Sequence, residues 1–205
     1  MTKKVILVSG KLQSGKNTFT DILMEEMKKS ISIDYDYFAK PLKNECKTVF
    51  SNLVDYLNKI SLENNIPSLY TNEDSWYENK NEVTRILLQT YGTDIFRELV
   101  DEDWWAKKLK KKILARDEEV IVVSDVRFKS ELRIFEQDND LKLIKIRIER
   151  DNYSRDNNPI HSHISELDLD DYSNWDFILK NNETLDVLKQ NTLILLDGIN
   201  TIFSL

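Results

Sequence analysis

Residues that staple, ligate or punctuate a fold are scarce here: the chain of 205 residues holds one cysteine, two histidines, three prolines and four glycines. A single cysteine excludes an intrachain disulfide and points to a reducing compartment. Cys46 reads as a buried structural thiol rather than a nucleophile. No segment approaches the roughly 20 apolar residues of a membrane span. The start Met1-Thr2-Lys3-Lys4 leads into an apolar run too short for a secretory core, so the run is expected to be the first strand and the protein cytoplasmic. Basic residues are outnumbered, with a net charge of −7, which argues against broad nucleic-acid binding. Any phosphate chemistry must then be local. The densest basic run, Lys107-Lys108 and Lys110-Lys111-Lys112, reads as a solvated helix face. Internal repeats are absent too.

What is present is a placement of glycines. Gly10 and Gly15 frame Gly10-Lys11-Leu12-Gln13-Ser14-Gly15-Lys16-Asn17-Thr18, directly after the run Val5-Ile6-Leu7-Val8. A buried strand that turns through such a loop into a helix leaves backbone N–H groups converging on one concavity, where a polyphosphate replaces the missing helical acceptors. Lys16 is placed to reach the terminal phosphates. Thr18 to Lys29 carries Phe19, Ile22, Leu23 and Met27 at helical spacing, which completes the strand-loop-helix context. Asn17 stands where a hydroxyl is usual, and the hydroxyl is displaced to Thr18. The order Gly-Lys-X-Thr resembles nucleoside monophosphate kinases.

Further strands are expected at Ile31 to Phe38, Val120 to Ser124, Leu141 to Ile148 and Phe177 to Lys180. Helical patterns fall at Pro41 to Asn58, Asn81 to Leu99, Trp104 to Ala115 and Glu131 to Gln137. A closing helix from Thr184 places Leu185, Leu188, Leu195, Ile199 and Phe203 on one face, and Gly198 weakens it by about 1 kcal/mol relative to Ala. Alternation of this kind predicts an α/β fold with a central parallel sheet covered on both faces. The polar stretches Ser61 to Lys80 and Asp151 to His163 read as binding loops or lids.

Ligands of open parallel sheets bind beyond the carboxyl ends of the strands. The run Val120-Ile121-Val122-Val123-Ser124 ends in Asp125-Val126-Arg127, so Asp125 and Arg127 are expected to share a crevice with Lys16. Asp125 suits a magnesium-bound water, and Arg127 suits a phosphate. His161, His163, Glu166 and Asp168 admit a metal reading, while Ser162-x-x-Ser165-Glu166 admits a capping reading.

Ordered blocks along most of the chain outside 51 to 80 carry a resemblance. They are Ser9-Gly10 through Thr18, Phe38-Ala39-Lys40-Pro41-Leu42-Lys43, Leu87 to Asp94 with Arg97 and Trp105, Ser124 to Arg127, and His163-Ile164-Ser165-Glu166. In these the chain resembles the phage-type deoxynucleoside monophosphate kinases and, more distantly, the animal phosphomevalonate kinases.

The resemblance implies a single three-layer P-loop kinase domain over 1–205, with an acceptor-binding helical region at about 38–105 and a lid at about 150–166. It implies transfer of the ATP γ-phosphoryl group to a deoxynucleoside monophosphate, with Mg2+ as cofactor, in a host cytoplasm if phage-encoded. ATP contacts fall to Gly10, Gln13, Ser14, Gly15, Lys16, Asn17, Thr18 and Asn181 or Asn182; metal contacts fall to Thr18 and Asp125. Lys43, Gln89, Gly92, Thr93, Arg97, Trp105 and Arg127 are the acceptor candidates. Lys43 also reads as an exposed helix charge, and Trp105 as core. Lys16, Asp125 and Arg127 carry catalysis with a lid arginine, Arg150 or Arg155. A homodimer, and no nucleic-acid or membrane partner, is expected. Two readings stay beside it: another small-molecule kinase on the same scaffold, acting on phosphomevalonate, dephospho-coenzyme A or a ribonucleotide, and a non-catalytic nucleotide-binding regulator.

Overall fold

The computed structural model describes residues 2–64, 82–151 and 164–205. Its sheet has five strands, β1 (Lys3–Gly10), β2 (Ile33–Tyr37), β3 (Val120–Val126), β4 (Leu141–Glu149) and β5 (Phe177–Lys180), in the order β2-β3-β1-β4-β5. Every pairing is parallel. The chain leaves β1 toward one edge of the sheet and later returns to its other side, so the switch point lies at the carboxyl end of β1.

A central parallel strand needs apolar cover on both faces. Val5, Ile6, Leu7 and Val8 meet that demand, each fully buried. Helices α1 (Lys16–Met27) and α7 (Leu185–Phe203) cover one face, where Phe19, Leu23, Ile199 and Phe203 pack with Ile6, Val8 and Ile146. Each such buried side chain contributes about 1.5–3 kcal/mol. The opposite face, with Val5, Leu7, Ile121 and Val123, is buried as well. Helix α5 (Lys129–Glu136) is fastened to β4 by a Lys145 Nζ to Glu136 bond of 2.5 Å. The later part of α4 (Trp104–Leu114) is fastened to α5 by Lys110 Nζ donating to the Ile134 carbonyl at 2.9 Å. The result is the expected three-layer α/β architecture.

Contacts divide the chain into two compact units, Met1–Phe38 with Leu109–Leu205, and Ala39–Lys108. The first contains the sheet. The second is helical: α2 (Ala39–Glu63), α3 (Glu82–Gln89), a π-helical segment Thr90–Val100 that continues α3, and the first turn of α4. Its core gathers Leu42, Phe50, Leu87, Leu88 and Tyr91 around Cys46. Burial pushes the Cys46 thiol up to about 12, as suits a structural cysteine.

Several bounds differ from expectation. Helix α2 runs past Asn58 to Glu63, because nothing before Asn64 stops it, and Ser61 is buried within it. Strand β2 is shorter at both ends than Ile31 to Phe38. Leu185 lies exposed at the start of α7, while Thr192 joins the buried face. Gly198 has a packing reason: a Cβ there would stand 3.0 Å from the Phe177 ring. In α4 Lys107, Lys108, Lys111 and Lys112 are exposed, the expected solvated face, and ion pairs join Lys107 to Asp101, Lys108 to Glu45, Lys110 to Asp138 and Lys112 to Asp36. A short helix α6 (Ile164–Leu167) follows. The stretches 65–81 and 152–163, with Arg155, His161 and His163, lie outside the described residues.

Candidate active site

The loop after β1 is built by backbone geometry. Gly15 has φ +92 and Gln13 φ +60, and Ser14 N–H donates to the Lys11 carbonyl at 3.1 Å. A Cβ at Gly10 would stand 2.8 Å from the Ile148 carbonyl, so β4 runs too close for any side chain there. Helix α1 then starts on Gly15 with no side-chain cap and no acidic residue in its first turn. Its leading N–H groups are left to whatever the loop encloses. Ser14 Oγ is buried without a hydrogen-bond partner among the described residues, a further donor suited to an enclosed anion.

Lys16 is buried at the start of α1, its Nζ 3.7 Å from Asp125 Oδ1. Burial, and then the nearby charge of Arg127, holds its ammonium below the ordinary lysine value, with Asp125 opposing both. Asp125 reaches this point through a register shift. Leu7 pairs with Val123 but Ser9 pairs with Val126, so β3 carries one residue more than β1 between these pairs. Asp125 itself has φ +65. Such an irregularity re-aims a side chain. It also explains why the strand continues beyond Ser124.

Arg127 follows with Nε donating to Asp125 Oδ1 at 2.8 Å and a second nitrogen paired with Glu166. Its backbone is pinned by Glu131, whose buried carboxylate accepts from Arg127 N–H at 2.7 Å and from Phe128 N–H at 3.0 Å. Arg147 on β4 faces the same end of the sheet: Nη1 donates to Ser9 Oγ at 2.9 Å, and that hydroxyl donates to the Val126 carbonyl. Burial disfavours its charge, and Asp170 supports it. The sequence patterns assign no role to Glu131 or to Arg147, which falls inside the expected strand Leu141 to Ile148. A glutamate three residues into a helix was the available signal for Glu131.

Beside the loop opens a cleft of about 550 Å3, walled by Lys11, Ser14, Arg147, Arg150, Tyr172 and Trp175. Arg150 is exposed on its wall. Asn181 is used by the loop itself, its amide donating to the Ser14 carbonyl at 2.9 Å, while Asn182 pairs with Asp151. The first unit thus brings together Gly10 through Thr18, Asp125, Arg127, Arg150 and Asn181.

The second unit holds Lys43, Gln89, Gly92, Thr93, Arg97 and Trp105. Gly92, Thr93 and Arg97 lie in the π-helical segment. The close approach at Gly92 is made by Leu42, 2.6 Å from where a Cβ would stand. Trp105 is 4% exposed and donates to the Gly92 carbonyl at 2.9 Å, within a cluster containing Tyr91 and Phe96. It is core, with its polar end satisfied.

No group of three His, Cys, Asp or Glu among the described residues could cage a metal. A magnesium carried by phosphates needs only one or two protein oxygens. The Asp125 carboxylate beside Lys16 and the exposed Thr18 fit that modest demand. No helix among the described residues is long and apolar enough to cross a membrane.

Comparison with known proteins follows the same line. The sequence model of the deoxynucleotide monophosphate kinase family matches residues 54–192. A protein of Acanthamoeba polyphaga mimivirus, provisionally named a deoxynucleotide monophosphate kinase, is 27% identical over 194 residues, 88% of this chain and 89% of its own length. Among solved structures, a shikimate kinase from Aquifex aeolicus vf5 is 16% identical with TM-score 0.43, over 96% of this chain and 98% of that one. A dephospho-CoA kinase from Campylobacter jejuni is 16% identical with TM-score 0.42, over 97% and 98%. Since the family match spans well over half of the chain, this protein belongs to the deoxynucleotide monophosphate kinase family, whose members are nucleotide phosphotransferases.

Proposed function

We propose that the protein transfers the γ-phosphoryl group of ATP to the 5′-phosphate of a deoxynucleoside monophosphate, giving ADP and the deoxynucleoside diphosphate. The observation that carries this reading is the glycine-framed loop with Lys16, Asp125 and Arg127 gathered at its mouth, in a chain of this family. An acceptor phosphate oxygen attacks the γ-phosphorus; the bond to the bridging β-oxygen breaks, and its electron pair leaves with ADP. The attacking oxygen is already anionic near neutral pH, so no general base is needed.

The residues' work is then alignment and charge. Backbone N–H groups of Gln13 and of Gly15 to Thr18, with the Ser14 hydroxyl, hold the donor phosphates. Lys16 and Arg127 stabilise charge on the transferred group, and Arg150 adds to it from the cleft wall. Magnesium, held through Asp125 and Thr18, would neutralise phosphate charge. Asn181 serves the donor by shaping the loop. In the second unit, Gln89 and Thr93 contact the acceptor base and sugar, and Lys43 and Arg97 its phosphate. Gly92 and Trp105 support that wall from within.

An acceptor panel tests the reading. ATP and magnesium are supplied with each of the four common deoxynucleoside monophosphates, the ribonucleotides, phosphomevalonate and dephospho-coenzyme A, and products are resolved by chromatography. The expected result is a deoxynucleoside diphosphate. Turnover confined to another acceptor would move the protein to that substrate class.

A further inference from the structure

Glu166 bridges the loop after β1 and Arg127. Its Oε2 accepts from the Leu12 N–H of the loop at 3.0 Å, its Oε1 pairs with the Arg127 guanidinium, and its side chain is 8% exposed. The segment that carries it is fastened to the same end of the sheet by further carboxylates. Asp168 accepts from Lys129 N–H at 2.7 Å, and Asp170 pairs with Lys11 at 2.6 Å and faces Arg147 at 3.6 Å. A small cavity lined by Gly10, Arg127, Arg147 and Glu166 adjoins the contact. Burial first, and then the nearby guanidinium of Arg127, disfavours the charges of Lys16 and Arg147 against the support of Asp125 and Asp170, which suits a site that takes an anion.

A backbone N–H in a glycine-framed loop and a guanidinium are the two donor types that phosphoryl oxygens take. Here a carboxylate of the same chain takes both. We propose that Glu166 is an internal stand-in for the terminal phosphoryl group, so that the docked position of residues 166–170 and occupation of the loop by a nucleotide's terminal phosphate exclude each other. The inference rests on reading Gly10 to Thr18 as the phosphate site. Its consequence is a self-blocking contact: donor binding must first expel Glu166, and apparent affinity is reduced by the fraction of molecules in which it is docked.

The test is calorimetric titration of wild type, Glu166→Gln and Glu166→Ala with inorganic tripolyphosphate, with thermal melting of each. Removing a stand-in charge tightens binding, by about tenfold if the docked state predominates by that ratio. Removing a passive support of the loop would weaken it. Hydrogen exchange on the wild type supplies a readout that needs no variant: tripolyphosphate should speed exchange in the peptide spanning 164–172. Equal or weaker binding by both variants, or slower exchange in that peptide, overturns the stand-in while leaving the phosphate loop in place. No tripolyphosphate binding by any of the three proteins would overturn the loop reading and this inference with it.

Discussion

The side-chain amide of Asn181 donates to the Ser14 carbonyl at 2.9 Å and lies where a Cβ on Gly15 would have to go. The loop after β5 therefore fixes the shape of the loop after β1. Gly15→Ala meets two obstacles at once, the amide and a backbone at φ +92. We expect it to lower stability by about 1–3 kcal/mol and to weaken ATP binding. Asn181→Ala gives up the bond to Ser14 but relieves the clash, so the double variant should lose less than the two single losses together, as read by urea unfolding. Full additivity of the two losses would contradict the contact.

Lys16→Met should fold and yet lose about 100- to 1,000-fold in kcat, the range for removing one donor to transition-state charge. Stability supplies a second readout. Because the Lys16 value is lowered in the folded protein, the unfolded chain binds more protons between that lowered value and the ordinary 10.5, and stability rises with pH across this window. The cost of burying the charge is present below the window. Lys16→Met should flatten this alkaline rise in a series of melting curves.

Asp125 offers a comparison in which only backbone conformation differs. Ala and Gly both remove the carboxylate, but only Gly accepts φ +65 without strain. Asp125→Gly should be more stable than Asp125→Ala by about 1–2 kcal/mol, the reverse of their order in a regular strand. Asp125→Asn keeps the conformation accessible. All three should lose transfer activity, measured with magnesium present.

A network centred on Lys145 sets part of the acid stability. Lys145 Nζ donates to Glu136 at 2.5 Å and to Tyr172 Oη at 2.9 Å, and the Tyr172 hydroxyl donates to Glu136 at 2.6 Å. Burial works to raise the Glu136 carboxyl, but the bonds from Lys145 and Tyr172 outweigh it and hold it below the ordinary 4.5. A depressed carboxylate contributes stability that is present above its unfolded value and is lost as pH falls through the folded one. Glu136→Gln should cost about 1–2 kcal/mol at neutral pH and show a smaller loss on acidification. An unchanged acid profile would remove the network from the account.

These relationships mark where the sequence was legible. Gly10, Gly15 and the run before them announced strand, loop and helix, because scarce glycines have backbone reasons to be where they are. The Val120 to Ser124 run showed a strand but not its irregularity, since an aspartate at positive φ leaves no trace in hydrophobic pattern. In Thr90–Val100 the widened turns were hidden for a related reason: Tyr91, Ile95, Phe96 and Val100 suit an α-helix nearly as well. For Glu166 the sequence offered a metal or a capping reading, not the contact with the loop. Leu12 is 154 positions away, and only the folded sheet brings them together.

The most direct test of the central claim follows the phosphorus itself. ATP labelled in its γ-phosphoryl group is incubated with the protein, magnesium and each deoxynucleoside monophosphate, with Lys16→Met run in parallel. Label is expected in a deoxynucleoside diphosphate for the wild type, with little or none for the variant. Saturable ATP binding with the label retained in ATP, whichever monophosphate is offered, would contradict it.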